Sequence, residues 1–93
     1  RLHYSPGIPL KMNAKNAKID QAFLLIKKRK KSLDNYYYLS KKNDLNEVAH
    51  NLYSCLRKIK KKGYKSIVVE KISKRGLGKA INDRISRASQ FKK

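Results

Sequence analysis

A small three-layer α/β domain, with a mostly parallel sheet and two main helices, is the fold the sequence predicts. Three observations predict it. Residues 44–62 carry apolar side chains at helical spacing behind an acidic cap, residues 66–72 (SIVVEKI) are a β-branched run, and a second amphipathic segment follows at about 77–90. A strand apolar enough to be buried on both faces, set between two helices, is what a parallel sheet with covering crossovers requires.

Each element has its own warrant. Residues 1–9 hold His3, Tyr4, Ser5, Pro6, Gly7 and Pro9, and the prolines hold their predecessors extended or turned, so this segment reads as a linker. Because the chain opens on Arg1 rather than Met, it is expected to be cut from something longer, as an excised domain, a split gene product whose partner is encoded separately, or a decayed remnant. Leu10 to Asn13 is a short candidate strand, and polar residues 14–20 then lead to AFLLI at 22–26, whose length suits a strand. Lys28, Arg29, Lys30 and Lys31 end it in solvent, and Ser32 to Asn35 reads as a turn into YYYLS at 36–40. In a strand Tyr36 and Tyr38 face one way and Tyr37 the other, so the three tyrosines do not form one stacking platform.

The clearest element comes next. Asp44 is placed to cap a helix and Glu47, three residues on, to complete a capping-box-like pair. Leu45, Val48, Ala49, Leu52, Tyr53, Leu56 and Ile59 make one apolar stripe, and Lys60 to Lys62 suit the negative end of the dipole before Gly63 stops the helix. The tyrosine strand, this helix and SIVVEKI should form one βαβ unit with a right-handed crossover. In the last helix Leu77, Ala80, Ile81, Ile85 and Ala88 are expected to face the core. The arrangement is Rossmann-like.

Gly76 and Gly78 stand where a phosphate loop would, between a strand and a helix. The third glycine of a dinucleotide fingerprint is replaced by Ile81, and no Gly-Lys-Ser or Gly-Lys-Thr occurs. A tight turn in which one glycine takes a positive φ is the expectation, and a nucleotide cradle the alternative. Asn82, Asp83 and Arg84 follow in the first turns of the helix, where an ion pair or a contact with another domain is expected of the charged pair.

The 25 Lys and Arg residues against 6 Asp and Glu give a net charge of +19, which attracts phosphate backbones, acidic proteins or anionic surfaces. Nineteen of the 25 are Lys, accompanied by seven Asn, a pairing that an AT-rich coding sequence also produces without selection for binding. A basic RNA-binding module, in contact with tRNA through clusters at 27–31 and 57–62, is therefore the second functional expectation. No apolar run approaches a membrane span. Cys55 is the single cysteine, which suits a reducing cytoplasm, and it reads as a buried packing thiol rather than a nucleophile. His3 and His50 have no Cys or carboxylate at ligand spacing, so neither a metal site nor a catalytic group is expected in the chain.

The segments HYSPGIPL, YLSKKNDLNEVAHNLYSCLRKI and RGLGKAINDRISRAS together resemble the C-terminal accessory domain of two-domain threonylcarbamoyl-AMP synthases (L-threonylcarbamoyladenylate synthases). The resemblance spans essentially the whole chain, and its most specific block runs from Gly76 to Arg84. It implies an enzyme that makes threonylcarbamoyl-AMP from threonine, bicarbonate and ATP for tRNA modification, with ATP and magnesium held in a preceding catalytic domain and no cofactor here. This chain is then no complete synthase. Its partner is that catalytic domain, in cis or in trans. The resemblance assigns His3, Tyr4, Ser5 and Pro6 to a lid over the catalytic pocket, and Gly76, Gly78, Asn82, Asp83 and Arg84 to a turn and an interdomain contact. Arg75 stands where that family usually has Glu, which reverses the charge before the turn.

Overall fold

A computed structural model describes residues 8–26, 28–41 and 44–90, the side chains of 88–90 excepted. In chain order its elements are β1 (Leu10–Ala14), β2 (Gln21–Leu25), β3 (Tyr36–Tyr38), α1 (Leu45–Lys62), β4 (Ser66–Glu70) and α2 (Leu77–Gln90). The strands form one four-stranded sheet in the order β1-β4-β2-β3, and every pairing is parallel. The expected α/β class, parallel sheet and two helices are all present.

The layers follow from the direction in which the chain moves across the sheet. From β1 to β2 to β3 it steps one way, and from β3 to β4 it steps back. Right-handed crossovers then place the outward connections on one face and the return connection, α1, on the other. The packing agrees. Val48, Leu52, Leu56 and Ile59 of α1, with Ile81 and Ile85 of α2, cover Ala22, Leu24, Ile67 and Val69 on one face. Phe23, Leu25 and Val68 point to the opposite face, where Ala14, Ala17, Tyr36 and Tyr38 pack on them. The third layer of the described structure is thus made by crossover loops, and both helices share the other face. Residues 15–20 and 26–35 are too short to carry a helix between parallel strands, so side chains of the loops do the covering.

Asn35 ties these loops together. Its buried side-chain amide donates to the carbonyls of Lys18 and Gln21 at 3.0 and 2.7 Å, and the Asn35 main-chain carbonyl accepts from Phe23 N at 2.8 Å. In β1 the ladder slips by one residue between Lys11 and Ala14, with Asn13 at φ 62°, a left-handed conformation that Asn tolerates better than most residues. The slip sends Ala14 to the face opposite Leu10 and Met12.

Asp44 caps α1 as expected, its Oδ1 accepting from Asn46 N at 2.9 Å, and Gly63 ends the helix at φ 81°. Glu47 behaves differently from a capping-box residue. Its Oε1 accepts from Ser40 Oγ at 2.7 Å and Lys41 N at 3.0 Å, while the Asp44 amide donates to Ser40 Oγ at 2.8 Å. The buried Ser40 hydroxyl therefore relays the link that a direct bond would have made. Of the residues expected to turn inward on α2, Ile81 and Ile85 are buried, but Leu77 is 38% exposed and Ala80 is exposed. Both belong to the first turn, which starts beyond the C-terminal end of β4 where no strand residue remains to cover it. The burial of Ala88 lies outside the described side chains.

Candidate functional site

The Gly-Leu-Gly turn is built as a packing joint. Gly76 takes φ +56° with open space around it, so it supplies the left-handed residue that lets the chain leave β4 and enter α2. Gly78 serves another purpose: a Cβ there would lie 2.2 Å from the Ser73 carbonyl oxygen. The main chain of the β4–α2 loop occupies the space in which a nucleotide phosphate would have to approach the helix. What faces Gly78 is an acceptor, which repels an anion.

Asn82 locks the same joint. Its side-chain amide nitrogen lies 3.1 Å from the Ile72 carbonyl, 3.0 Å from that of Ser73 and 3.0 Å from that of Gly78. Three acceptors around one NH₂ group fix the amide orientation, since the opposite flip would set oxygen against oxygen. Asp83 and Arg84 lie one and two residues further on, exposed, and no ion pair joins them to each other. The structure thus brings Gly76, Gly78 and Asn82 into one joint and leaves Asp83 and Arg84 on the surface. The four lid positions, His3, Tyr4, Ser5 and Pro6, lie outside the described residues.

A second feature was not visible in the sequence. At the C-terminal ends of β2 and β4 the chain departs in opposite directions: after β2 it crosses to the Phe23 face, where the Arg29 guanidinium sits 5.0 Å from the Phe23 ring centroid, and after β4 it turns to the helix face. Such a switch point is where open parallel sheets form a crevice. Here it is a cleft of about 640 Å³ with Lys28, Arg29, Lys30 and Lys71 around it and Ile26, Leu45 and Ile72 supplying apolar wall. Glu70 lines it too: Oε2 accepts from Ile26 N at 2.7 Å and Oε1 pairs with Arg29 Nη2 at 3.3 Å. The partners are more than forty positions apart in sequence, so only the strand order brings them together.

Other sequence candidates resolve as packing. Tyr36 and Tyr38 lie on the loop face and Tyr37 on the helix face, edge-on to Tyr64 at 5.9 Å. Cys55 is buried, and burial pushes its thiol up to about 11 against a smaller opposing pull from Lys58. Little thiolate then exists near neutral pH. In the native chain Cys55 is expected to react with a thiol-specific disulfide reagent at least roughly ten-fold more slowly than free cysteine, and a stopped-flow comparison with the chain in denaturant checks this. His50 is exposed on α1, and no helix among the described residues is long and apolar enough to cross a membrane.

Comparison with known proteins places these features in context. None of the curated proteins matches the chain. Among solved structures, the crystal structure of P. abyssi Sua5 complexed with L-threonine is similar, with a TM-score of 0.68 and 24% identity. The match covers 96% of this chain and 30% of that one, so the chain spans under a third of its length. At that identity the likeness speaks for the fold. The family described as threonylcarbamoyl-AMP synthase, C-terminal domain, matches residues 1–90. With its sheet, helices and Gly-Leu-Gly joint all inside that match, the chain belongs to the family of threonylcarbamoyl-AMP synthase C-terminal domains.

Proposed function

We propose that this chain is the accessory, non-catalytic part of a threonylcarbamoyl-AMP synthase, working through contact with a catalytic domain that holds the ATP, the magnesium and the reaction. The observation that carries this reading is the Ser73 carbonyl over Gly78, which fills the one place where the sequence offered a nucleotide cradle. Its membership of a C-terminal-domain family supports it. In this reading residues 1–9 form a lid over the partner's pocket, with His3, Tyr4, Ser5 and Pro6 at the contact, and the exposed Asp83 and Arg84 face the neighbouring domain. A lid that excludes water protects a mixed anhydride of carbamate and phosphate from hydrolysis.

Reconstitution tests it. The 93-residue chain is mixed with the matching catalytic domain, and formation of threonylcarbamoyl-AMP from threonine, bicarbonate and ATP is followed. The chain alone is expected to form none, and its addition to raise the yield, with the gain reduced by Tyr4→Ala. Turnover by the chain alone, or neither complex nor rate change on mixing, overturns the reading.

A further inference from the structure

At the C-terminal edge of the sheet, basic side chains outnumber the acidic ones. Lys28, Arg29, Lys30 and Lys71 surround the switch-point cleft, and Lys28 also borders an adjoining hollow of about 500 Å³ that reaches Lys41. Of the chain's six acidic residues, Glu70, Asp44 and Glu47 stand near these bases, and among the described residues only Glu70 forms an ion pair with one of them, Arg29. Glu70 is held by Ile26 N and Arg29, Asp44 by Asn46 N, and Glu47 by Ser40 Oγ and Lys41 N. Lys28, Lys30 and Lys71 are exposed and make no ion pair among the described residues, which leaves them to attract an external anion.

We infer that this edge binds the phosphodiester backbone of RNA, with Lys28, Lys30 and Lys71 as its main phosphate contacts. The spread of the charges over two adjoining hollows suits a run of phosphates rather than one. A mononucleotide would want converging backbone amides, and one amide of the lining, Ile26 N, already donates to Glu70. A membrane surface would want apolar anchors beside the lysines. Of the exposed large apolar residues described, Ile19 and Leu33 precede β2 and β3 and so lie at the opposite end of the strands, and Leu77 alone, 38% exposed, stands at this one. Contacts made by flexible lysine ammonium groups to phosphate position a strand without reading its bases. The choice of RNA over DNA rests on the synthase reading above; the geometry does not.

The test measures fluorescence anisotropy of a labelled tRNA transcript with the full chain across a salt series. Lys28→Gln, Lys30→Gln and Lys71→Gln are combined in one variant, and Lys18→Gln, Lys62→Gln and Lys65→Gln in another of equal net charge from the opposite edge. Near physiological salt the first is expected to bind about ten-fold more weakly, with the slope of log affinity against log salt reduced by about 2, while the second changes by less than about three-fold. Thermal melts confirm that both variants are folded. Equal losses in the two variants, or no tRNA binding by the parent chain, overturn the inference. Duplex DNA of similar length bound as tightly and with the same dependence on these lysines overturns the assignment to RNA, and competition by ATP at low micromolar concentration overturns the backbone assignment. The assay contains no catalytic domain, threonine or bicarbonate, so its outcome is independent of the reconstitution experiment.

Discussion

Gly78→Val is expected to cost about 3 kcal/mol or more, at the upper end of what overpacking does in a well-packed site. The obstacle is main chain, the Ser73 carbonyl oxygen 2.2 Å from the nearest position a Cβ takes, so no flexible side-chain tip can move aside. To relieve the clash the β4–α2 loop must lift, and lifting it breaks the bonds from the Asn82 amide to Ile72 and Ser73. In a domain of this length the loss corresponds to a fall in melting temperature of roughly 12–24 °C. Gly76→Ala is a useful contrast. It meets open space and suffers only the penalty of a left-handed φ, about 1–2 kcal/mol. A Gly78→Val protein that melts within about 2 °C of its parent would remove the packing account of the turn.

The second large effect is expected on the opposite face. Phe23→Ala should destabilise the domain by about 3–5 kcal/mol, the usual range for truncating a buried aromatic. Phe23 is fully buried, meets Tyr36 edge-on at 5.3 Å between centroids and supports the Arg29 guanidinium on its ring. Among the described residues no helix stands behind it to collapse into the gap, because this face is covered by loop side chains. Against a total stability of about 5–15 kcal/mol for an ordinary domain, the loss is a large share. Phe23→Leu keeps most of the volume and should cost less than about 1.5 kcal/mol. Chemical denaturation of the three proteins checks this, and a Phe23→Ala midpoint close to that of the parent would show the loop layer to contribute little.

Local patterns were legible before the structure, and long-range ones were not. The cap at Asp44, the apolar stripe of α1 and the central position of SIVVEKI are carried by residues within one or two turns of each other, where spacing alone encodes the outcome. Gly76 as the left-handed residue of the turn belongs to the same class. The role of Gly78 does not, since it depends on how closely the Ser73 carbonyl approaches. The Glu70 link to Ile26 and Arg29 required knowing that β4 inserts beside β2. Glu47 was read as a capping-box partner from its spacing, but nothing local showed that Ser40 would stand between it and the Asp44 amide. Leu77 followed the helical period and still ended up exposed, because periodicity names a face and says nothing about whether the sheet extends far enough to cover it.

The kink at Asn13 has a consequence for how the polypeptide behaves among its neighbours. An open sheet has two margins, and a long straight margin invites a foreign strand to zip onto it. On one side the extra residue near Asn13 breaks the repeat of donors and acceptors after only two regular pairs, and on the other Tyr36–Tyr38 offers just three residues. Neither border gives a recruit enough consecutive partners to settle, so strand-to-strand addition of a second copy is disfavoured at both.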